Sequence, residues 1–271
     1  MKRILLLASL LFAPFSIDAG QSTSLTSLKQ RDDFLGLEAV GRLDNPNGFC
    51  SATLIAPDLI LTAAHCVFNR NTNERYDAKD LIFLAALTDD KSLAKRRGYR
   101  VVVDPNYESE ARFSRSKIVS DIALILLDDP VPTSIAAPFA IHSGGVVDGP
   151  ISVVSYGRGR TERMSWQRQC NILNRNKGLF VMDCDVTFGS SGSAVFVREG
   201  SRYRILSMTS AIGKWNGKQV AYGMELGPRV DALKRTIRNK PVRRLSAEKR
   251  LRVGNKDDRQ TSQARFVRVG D

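Results

Sequence analysis

Short apolar runs alternate with polar turns along most of the chain. The first set of runs lies at Glu38–Leu43, Ser51–Ile55, Leu81–Leu87, Arg100–Val103 and Asp121–Leu127. The second set lies at Ile151–Tyr156, Cys170–Leu173, Leu179–Met182, Ser193–Val197, Tyr203–Ser207 and Val220–Leu226. Runs of this length, bounded by turn residues, are typical of strands in a β-barrel. The pattern therefore predicts an all-β protein whose strands form two successive groups.

A proline-rich segment separates the two groups of strands. Pro132 and Pro138 lie within it, and proline is a poor strand interior because it cannot donate to the ladder of a sheet. We therefore place the first β-barrel at residues 34–130, a linker at 131–139 and the second β-barrel at 140–228.

A helical period is found near the end of the chain. Val230, Leu233 and Ile237 are spaced three and four residues apart, which predicts an amphipathic C-terminal helix over residues 229–239. The segment 240–271 has no sustained period and carries ten Lys or Arg residues against four acidic ones. This composition predicts a disordered basic tail.

Positive charge is concentrated in this tail. The whole chain has a formal charge of +13, and the ten basic and four acidic tail residues supply +6 of it. The tail has two interpretations: a solvated extension without a partner, or an electrostatic tether to an anionic cell surface, lipopolysaccharide or nucleic acid. A stable nucleic-acid complex is not expected.

The beginning of the chain has the pattern of a secretory signal peptide. Lys2 and Arg3 precede a short apolar run, and Ala19 offers a small residue for cleavage. The run is too short for a stable bilayer-spanning helix, although a retained membrane anchor is the alternative. The pattern predicts removal of residues 1–19, a polar lead-in over residues 20–33 and a secreted or periplasmic protein.

Three short segments carry the candidate chemistry. They are Leu61–Cys66, Ser120–Leu124 and Gly189–Ser193. Serine is a poor nucleophile at neutral pH unless an imidazole takes its proton, and the imidazole needs a carboxylate that fixes its tautomer. His65, Asp121 and Ser191 supply these groups in the order of the chymotrypsin arrangement. Each segment alone could be a core histidine, a strand start or a flexible loop, but together they predict a charge-relay hydrolase.

These segments resemble those of the trypsin/chymotrypsin-like serine peptidases. The resemblance implies two six-stranded antiparallel β-barrels and a C-terminal helix, with His65 and Asp121 in the first barrel and Ser191 in the second. It also implies a serine that lies sixteen to nineteen residues beyond the nucleophile and faces Asp121. Ser207 and Ser210 both meet that spacing.

The nucleophile segment also points to a subgroup of the family. The backbone N–H groups of Gly189 and Ser191 are expected to form the oxyanion hole, since a residue without Cβ permits the tight loop. Ser190 stands where trypsin-type enzymes carry an acid that pairs with a newly cleaved N-terminus, so activation by that ion pair is not expected. The Gly-x-Ser-Gly-Ser pattern resembles bacterial relatives similar to glutamyl endopeptidases.

Four cysteines allow three pairings and fit an oxidising compartment. Cys50 lies on a predicted strand and Cys66 follows the neighbouring predicted strand, Asp58–Thr62, and the family resemblance places a bridge there as well. Cys170 and Cys184 flank a turn signal and are expected to staple a hairpin that leads to the nucleophile. The cysteines do not repeat with histidine at ligand spacing, so no metal site is expected.

Substrate preference depends on Asp185, which lies six residues before Ser191. By resemblance, an acid there can form the base of a pocket for Lys or Arg, or it can have a structural hydrogen-bonding role. Glutamyl specificity would need a histidine on the following strand, and the segment 206–211 has none. Phe188 either narrows the pocket entrance or packs within its loop.

The sequence therefore predicts a secreted, monomeric serine endopeptidase that acts on proteins or peptides and needs no cofactor. One alternative is a catalytically silent protein of the same fold that holds anionic partners through its basic surface. Another is an esterase that uses the same three residues, because acyl transfer to water does not itself require an amide.

Overall fold

The computed structural model of this chain describes residues 22–239. The predicted signal peptide (1–19) and basic tail (240–271) lie outside the described residues. The strands are β1 Thr26–Ser27, β2 Val40–Asn45, β3 Gly48–Ala56, β4 Leu59–Thr62, β5 Ile82–Ala85, β6 Ala94–Val103, β7 Ala123–Leu127, β8 Ile151–Gly157, β9 Arg160–Cys170, β10 Ile172–Asn176, β11 Leu179–Met182, β12 Ala194–Glu199, β13 Arg202–Trp215 and β14 Lys218–Met224. The helices are α1 Arg115–Ser120 and α2 Gly227–Asn239, and 3₁₀ turns lie at Arg31–Phe34, Ala64–Val67 and Ala78–Asp80.

The strands of the first half close into a six-stranded barrel in the order β2-β3-β4-β7-β6-β5. Neighbouring strands pair antiparallel around the ring. Strands β4 and β7 are buried along their whole length, which explains why they are continuous apolar runs in the sequence. The predicted first barrel is confirmed.

The second half forms an eight-stranded sheet in the order β1-β9-β8-β12-β13-β14-β11-β10, where the sequence predicts a six-stranded barrel. One additional strand comes from the predicted lead-in. Thr26 and Ser27 pair with β9, and Leu28 is only 2% exposed. The lead-in joins the sheet because Leu28 anchors it in the core and its backbone groups find partners there.

Strand β13 joins two parts of this second sheet. Its first part, up to Met208, pairs with β12, and its second part, from Thr209, pairs with β14. Beyond Thr209, β13 pairs with β14 on one edge, and within residues 22–239 no strand pairs with its other edge. This edge borders the candidate site described below.

Helix α2 packs against β6 and β7 of the first barrel. It begins at Gly227, slightly before the predicted start, and buries Val230, Leu233 and Ile237. Arg100 Nη1 donates to the Ile237 carbonyl at 2.9 Å, which ties the end of the helix to β6. The predicted C-terminal helix is confirmed. No helix within residues 22–239 has the length and apolar character needed to cross a bilayer.

Candidate active site

His65 lies in the 3₁₀ turn that follows β4. The turn is fixed by the adjacent disulfide between Cys66 and Cys50 of β3 (S–S 2.01 Å), and Asn45 Nδ2 donates to the Cys66 carbonyl at 3.2 Å. The second predicted disulfide, Cys170–Cys184, is also present. The first bridge and this hydrogen bond therefore fix the turn that carries the imidazole.

Asp121 follows α1 directly, and the helix delivers its carboxylate to His65. Ser114 caps α1 by accepting from the Lys117 N–H at 3.2 Å. Asp121 Oδ1 accepts from the His65 backbone N–H at 2.8 Å, and Oδ2 lies 2.7 Å from His65 Nδ1. Burial raises the pKa of Asp121, but the charge and hydrogen bonds of His65 and the bond from Ser210 outweigh it, so the pKa lies below its ordinary value. The carboxylate is therefore ionised and orients the ring.

Ser210 is the serine that faces Asp121. Its Oγ donates to Asp121 Oδ2 at 2.6 Å, whereas Ser207 Oγ donates to the Met224 carbonyl at 2.8 Å. The spacing alone leaves both serines open, and the structure selects Ser210.

Ser191 lies on the loop between β11 and β12, and this loop is docked onto β3. The Ser51 N–H donates to the Ser191 carbonyl at 2.8 Å, and Ser51 Oγ donates to the Gly189 carbonyl at 3.1 Å. A Cβ on Gly192 would lie 2.3 Å from Thr62 Oγ1 and 3.0 Å from the Ala63 nitrogen. Only glycine permits this approach, which brings Ser191 to the residues that immediately precede His65.

Some backbone N–H groups in this loop are hydrogen-bonded and others are free. The N–H groups of Ser190, Gly192 and Ser193 donate to the carbonyls of Thr187, Thr209 and Ser190. Within residues 22–239, the N–H groups of Gly189 and Ser191 have no acceptor. Two unsatisfied donors beside a serine hydroxyl form a site suited to a developing oxyanion.

Arg160 occupies the space beneath Ser190. Its Nη2 donates to Ser190 Oγ at 3.0 Å and to Ser155 Oγ at 2.9 Å. Ser190 is fully buried, and its hydroxyl donates to the Tyr156 carbonyl at 3.0 Å. Burial lowers the pKa of Arg160 to about 10, while the charge of Asp185 opposes this shift. The loop is thus supported from below by a guanidinium and neutral oxygens.

Two clefts meet at His65. Cleft A has a volume of about 320 Å³ and is lined by Phe68, Tyr107, Phe113, Asp121, Ser210 and Ala211, among others. Cleft B has a volume of about 430 Å³ and is lined by Phe49, the Cys50–Cys66 disulfide, Arg70, Arg158, Phe188 and Gly189, among others. An extended chain that crosses His65 would occupy both clefts.

Asp185 and Phe188 differ in their relation to the two clefts. Asp185 is exposed, lines neither cleft A nor cleft B, and its N–H donates to Gln167 Oε1 at 2.6 Å. Phe188 is 58% exposed and forms part of cleft B. The role of Asp185 in substrate selection therefore stays a prediction.

Cys50, His65 and Cys66 present ligand atoms within 4.8 Å of one another. The two sulfur atoms are joined in the disulfide, so neither can act as the thiolate that a metal ion needs.

Two supporting residues, Ser51 and Arg160, have no signal in the sequence. Ser51 lies in a predicted strand, and Arg160 follows a glycine-rich turn. Their contacts join segments far apart in the chain: Ser51 to Gly189, and Arg160 to Ser190. Only the folded structure brings these partners together.

Fold and site together define a peptidase of the serine class. The family of trypsin-like peptidase domains matches residues 50–202, more than half of the chain. The chain belongs to this family.

A curated relative and several solved structures agree with this assignment. The chain is 31% identical over 91 residues to the modular serine protease of Drosophila melanogaster, a segment that spans 31% of this chain and 14% of that protein. The match therefore covers about one seventh of the relative's length.

The solved structures share the fold. A Glu endopeptidase in complex with MPD superposes with a TM-score of 0.65 at 18% identity and covers 78% of this chain and 95% of its own. The thermostable serine protease AL20 of an extremophilic microorganism gives 0.60 at 17% identity, with 75% and 98% covered. Protease Anisep of Arthrobacter nicotinovorans gives 0.58 at 16% identity, with 73% and 94% covered. These similarities confirm the expected fold.

Proposed function

We propose that this protein is a serine endopeptidase that hydrolyses peptide bonds through Ser191, His65 and Asp121. The observation that carries the proposal is the buried carboxylate of Asp121, which lies 2.7 Å from His65 Nδ1 and accepts from Ser210 Oγ at 2.6 Å. An ionised carboxylate at Nδ1 keeps the ring proton there and leaves Nε2 as the basic nitrogen.

The reaction proceeds by acyl transfer. Ser191 Oγ attacks the carbonyl carbon of the scissile bond while its proton passes to His65 Nε2. The N–H groups of Gly189 and Ser191 stabilise the negative oxygen, and Asp121 stabilises the imidazolium. His65 then donates the proton to the leaving amine as the peptide bond breaks. In the second half, His65 takes a proton from water while the water oxygen attacks the acyl carbon, and the proton passes to Ser191 Oγ as its bond to the acyl group breaks.

For the residue before the scissile bond, we propose a preference for Lys or Arg. Asp185 is the acid at the expected sequence position, and its exposed carboxylate is available to a cation. The nearby charge of Arg160 offsets part of this attraction. The preference for Lys or Arg should therefore be weaker than in a closed pocket whose aspartate has no cation nearby.

Cleavage of a peptide library by the mature protein tests both parts of the proposal. Lys and Arg should be enriched immediately before the cleaved bonds, on the order of tenfold, which corresponds to about 1.4 kcal/mol. Asp185→Asn should reduce this enrichment, and the exposed Asp231→Asn serves as a charge-matched control. Enrichment of another residue type, unchanged in Asp185→Asn, would contradict the assigned preference. A wild type inert toward the whole library would instead favour the silent binding protein.

The oxyanion hole provides a further prediction. Gly189 has φ +95°, and a Cβ there would lie 2.4 Å from the Phe49 ring and 3.1 Å from Gly157 Cα. Gly189→Ala should therefore displace the N–H and lower kcat by about 100-fold, the effect of losing one donor. Gly217→Ala is the control, because Gly217 has φ +78° with no atom near its Cβ position. Equal activities of the two variants would exclude Gly189 from the oxyanion hole.

We also propose that the enzyme acts after export. The two disulfides support this, since such bonds persist in oxidising compartments. N-terminal sequencing of the protein from its native source should give a start after residue 19, and an intact Met1 on a cytosolic protein would contradict export.

A further inference from the structure

The residues around cleft B carry positive charge that no acid neutralises. Arg70 and Arg158 are the formally charged members of its lining, and the lining contains no Asp or Glu. Both arginines are exposed. Within residues 22–239, neither has a carboxylate within salt-bridge distance. Cleft B is therefore a cationic surface beside the reacting groups.

The position of Arg158 is fixed by the nucleophile loop. Its N–H donates to the Phe188 carbonyl at 2.7 Å, and its guanidinium lies 4.5 Å from the centroid of the Phe188 ring. Stacking of this kind leaves the edge donors of a guanidinium free for a carboxylate. Phe188 thus holds Arg158 at the rim of the cleft, next to Gly189.

Arg70 stands where clefts A and B meet. It lines both of them, as do His65 and Phe68. Cleft A is also lined by a second cation, Lys117, whose Nζ donates to two backbone carbonyls. It contains one acid, Asp121, which is paired with His65. Cleft B therefore differs from cleft A in that its lining holds two exposed arginines and no acid.

We assign the acyl side of an extended substrate to the unpaired edge of β13. Ser210 and Ala211 lie on this edge and line cleft A, so an extended acyl-side segment can add there as a further strand. The leaving-group side of the substrate then passes His65 and enters cleft B, beneath Phe188 and beside the disulfide.

We propose that Arg70 and Arg158 select acidic side chains at the first two positions after the scissile bond. This rests on the proposed endopeptidase function and adds a substrate class to it. A carboxylate in cleft B meets two cations and no competing acid, whereas a lysine there is repelled. Because both arginines are exposed, the attraction is screened by salt and acts mainly on specificity.

Two matched internally quenched peptides test this proposal. They share one acyl-side sequence, chosen as the best cleaved in the library, and carry either Glu or Lys at both positions after the scissile bond. For the wild-type protein at low salt, kcat/KM should favour the Glu peptide on the order of tenfold, with a smaller ratio at 1 M salt.

The double variant Arg70→Glu/Arg158→Glu should invert the preference and cleave the Lys peptide faster than the wild type does. A gain of this kind cannot come from misfolding. The control is Arg202→Glu/Arg235→Glu, which makes the same charge change at two exposed sites outside cleft B, and should keep the wild-type ratio.

Each other outcome overturns a defined claim. Rapid cleavage of both peptides at a ratio near one, or a ratio that the Arg70/Arg158 variant does not change, overturns the cleft B assignment and leaves the endopeptidase intact. A change of ratio in the control variant as large as that in the cleft variant would attribute the effect to net charge alone and also overturns the assignment. Absence of cleavage of every peptide overturns the endopeptidase proposal and the cleft B assignment together.

Discussion

Ser191→Ala is expected to lower kcat/KM for peptide hydrolysis by at least about 10⁴-fold, because no other group takes the place of the nucleophile. The loop should keep its conformation, since its contacts with β3 run through the Ser191 carbonyl and not through the hydroxyl. Steady-state kinetics on the best peptide, with thermal unfolding measured in parallel, checks both expectations.

The control for this variant is Ser201→Ala, which removes an exposed hydroxyl from the turn between β12 and β13. It should match the wild type in kinetics and in unfolding midpoint. Residual activity of Ser191→Ala within about tenfold of wild type would assign the nucleophile to another residue.

Asp121→Asn is expected to reduce kcat by about 10⁴-fold at neutral pH by reversing the histidine tautomer. Asp121 Oδ1 accepts from the His65 backbone N–H at 2.8 Å, and that group can only donate. The asparagine oxygen must therefore occupy the Oδ1 position, which places its NH₂ group against His65 Nδ1. The ring then accepts at Nδ1 and carries its proton on Nε2, the nitrogen that must take the proton of Ser191.

Ser210→Ala is the matched control for this prediction. It removes a hydrogen bond to the same carboxylate oxygen, 2.6 Å away, but keeps the charge and the tautomer. The expected loss is about tenfold, as for one hydrogen bond to a charged group. The tautomer argument fails if Asp121→Asn and Ser210→Ala lower kcat equally. It also fails if Asp121→Asn retains more than about a tenth of the wild-type kcat.

The three catalytic groups could be predicted from the sequence because nucleophilic catalysis by serine permits few residue types at each position. A nucleophile, a base and an orienting carboxylate in a defined order leave few alternatives. Ser210 could not be separated from Ser207 in this way. The two serines are three residues apart on β13, so they point to opposite faces of a regular strand. The face that meets Asp121 depends on the pairing register, which shifts between Thr209 and Ala211.

Strand β9 shows why part of the fold escaped prediction. Its buried residues Met164 and Trp166 stand among Arg, Glu and Gln residues, so the sequence lacks a clear apolar run. Arg168 stacks over Trp166 at 3.9 Å, which covers apolar surface with a charged side chain. Pairing with β8 and β1, not the local pattern, makes this segment a strand.

The support of the nucleophile loop is also a property of the tertiary structure. Ser51 of the first barrel accepts from the Tyr156 N–H at 3.0 Å and donates to the Gly189 carbonyl at 3.1 Å. Arg160 bonds to Ser190 from the other side. Ser51 and Arg160 themselves lie in segments that carry no motif. They hold a loop whose motif the sequence does contain.

Covalent labelling with a fluorophosphonate tests the central claim most directly. The probe phosphonylates a serine only where a base activates the hydroxyl and N–H donors stabilise the new oxyanion. Mass spectrometry of the labelled mature protein should give one adduct per chain, on the peptide that contains Ser191, and none in Ser191→Ala. An unlabelled wild type, or an adduct on any other residue, would contradict the assignment of Ser191, His65 and Asp121 as the catalytic groups.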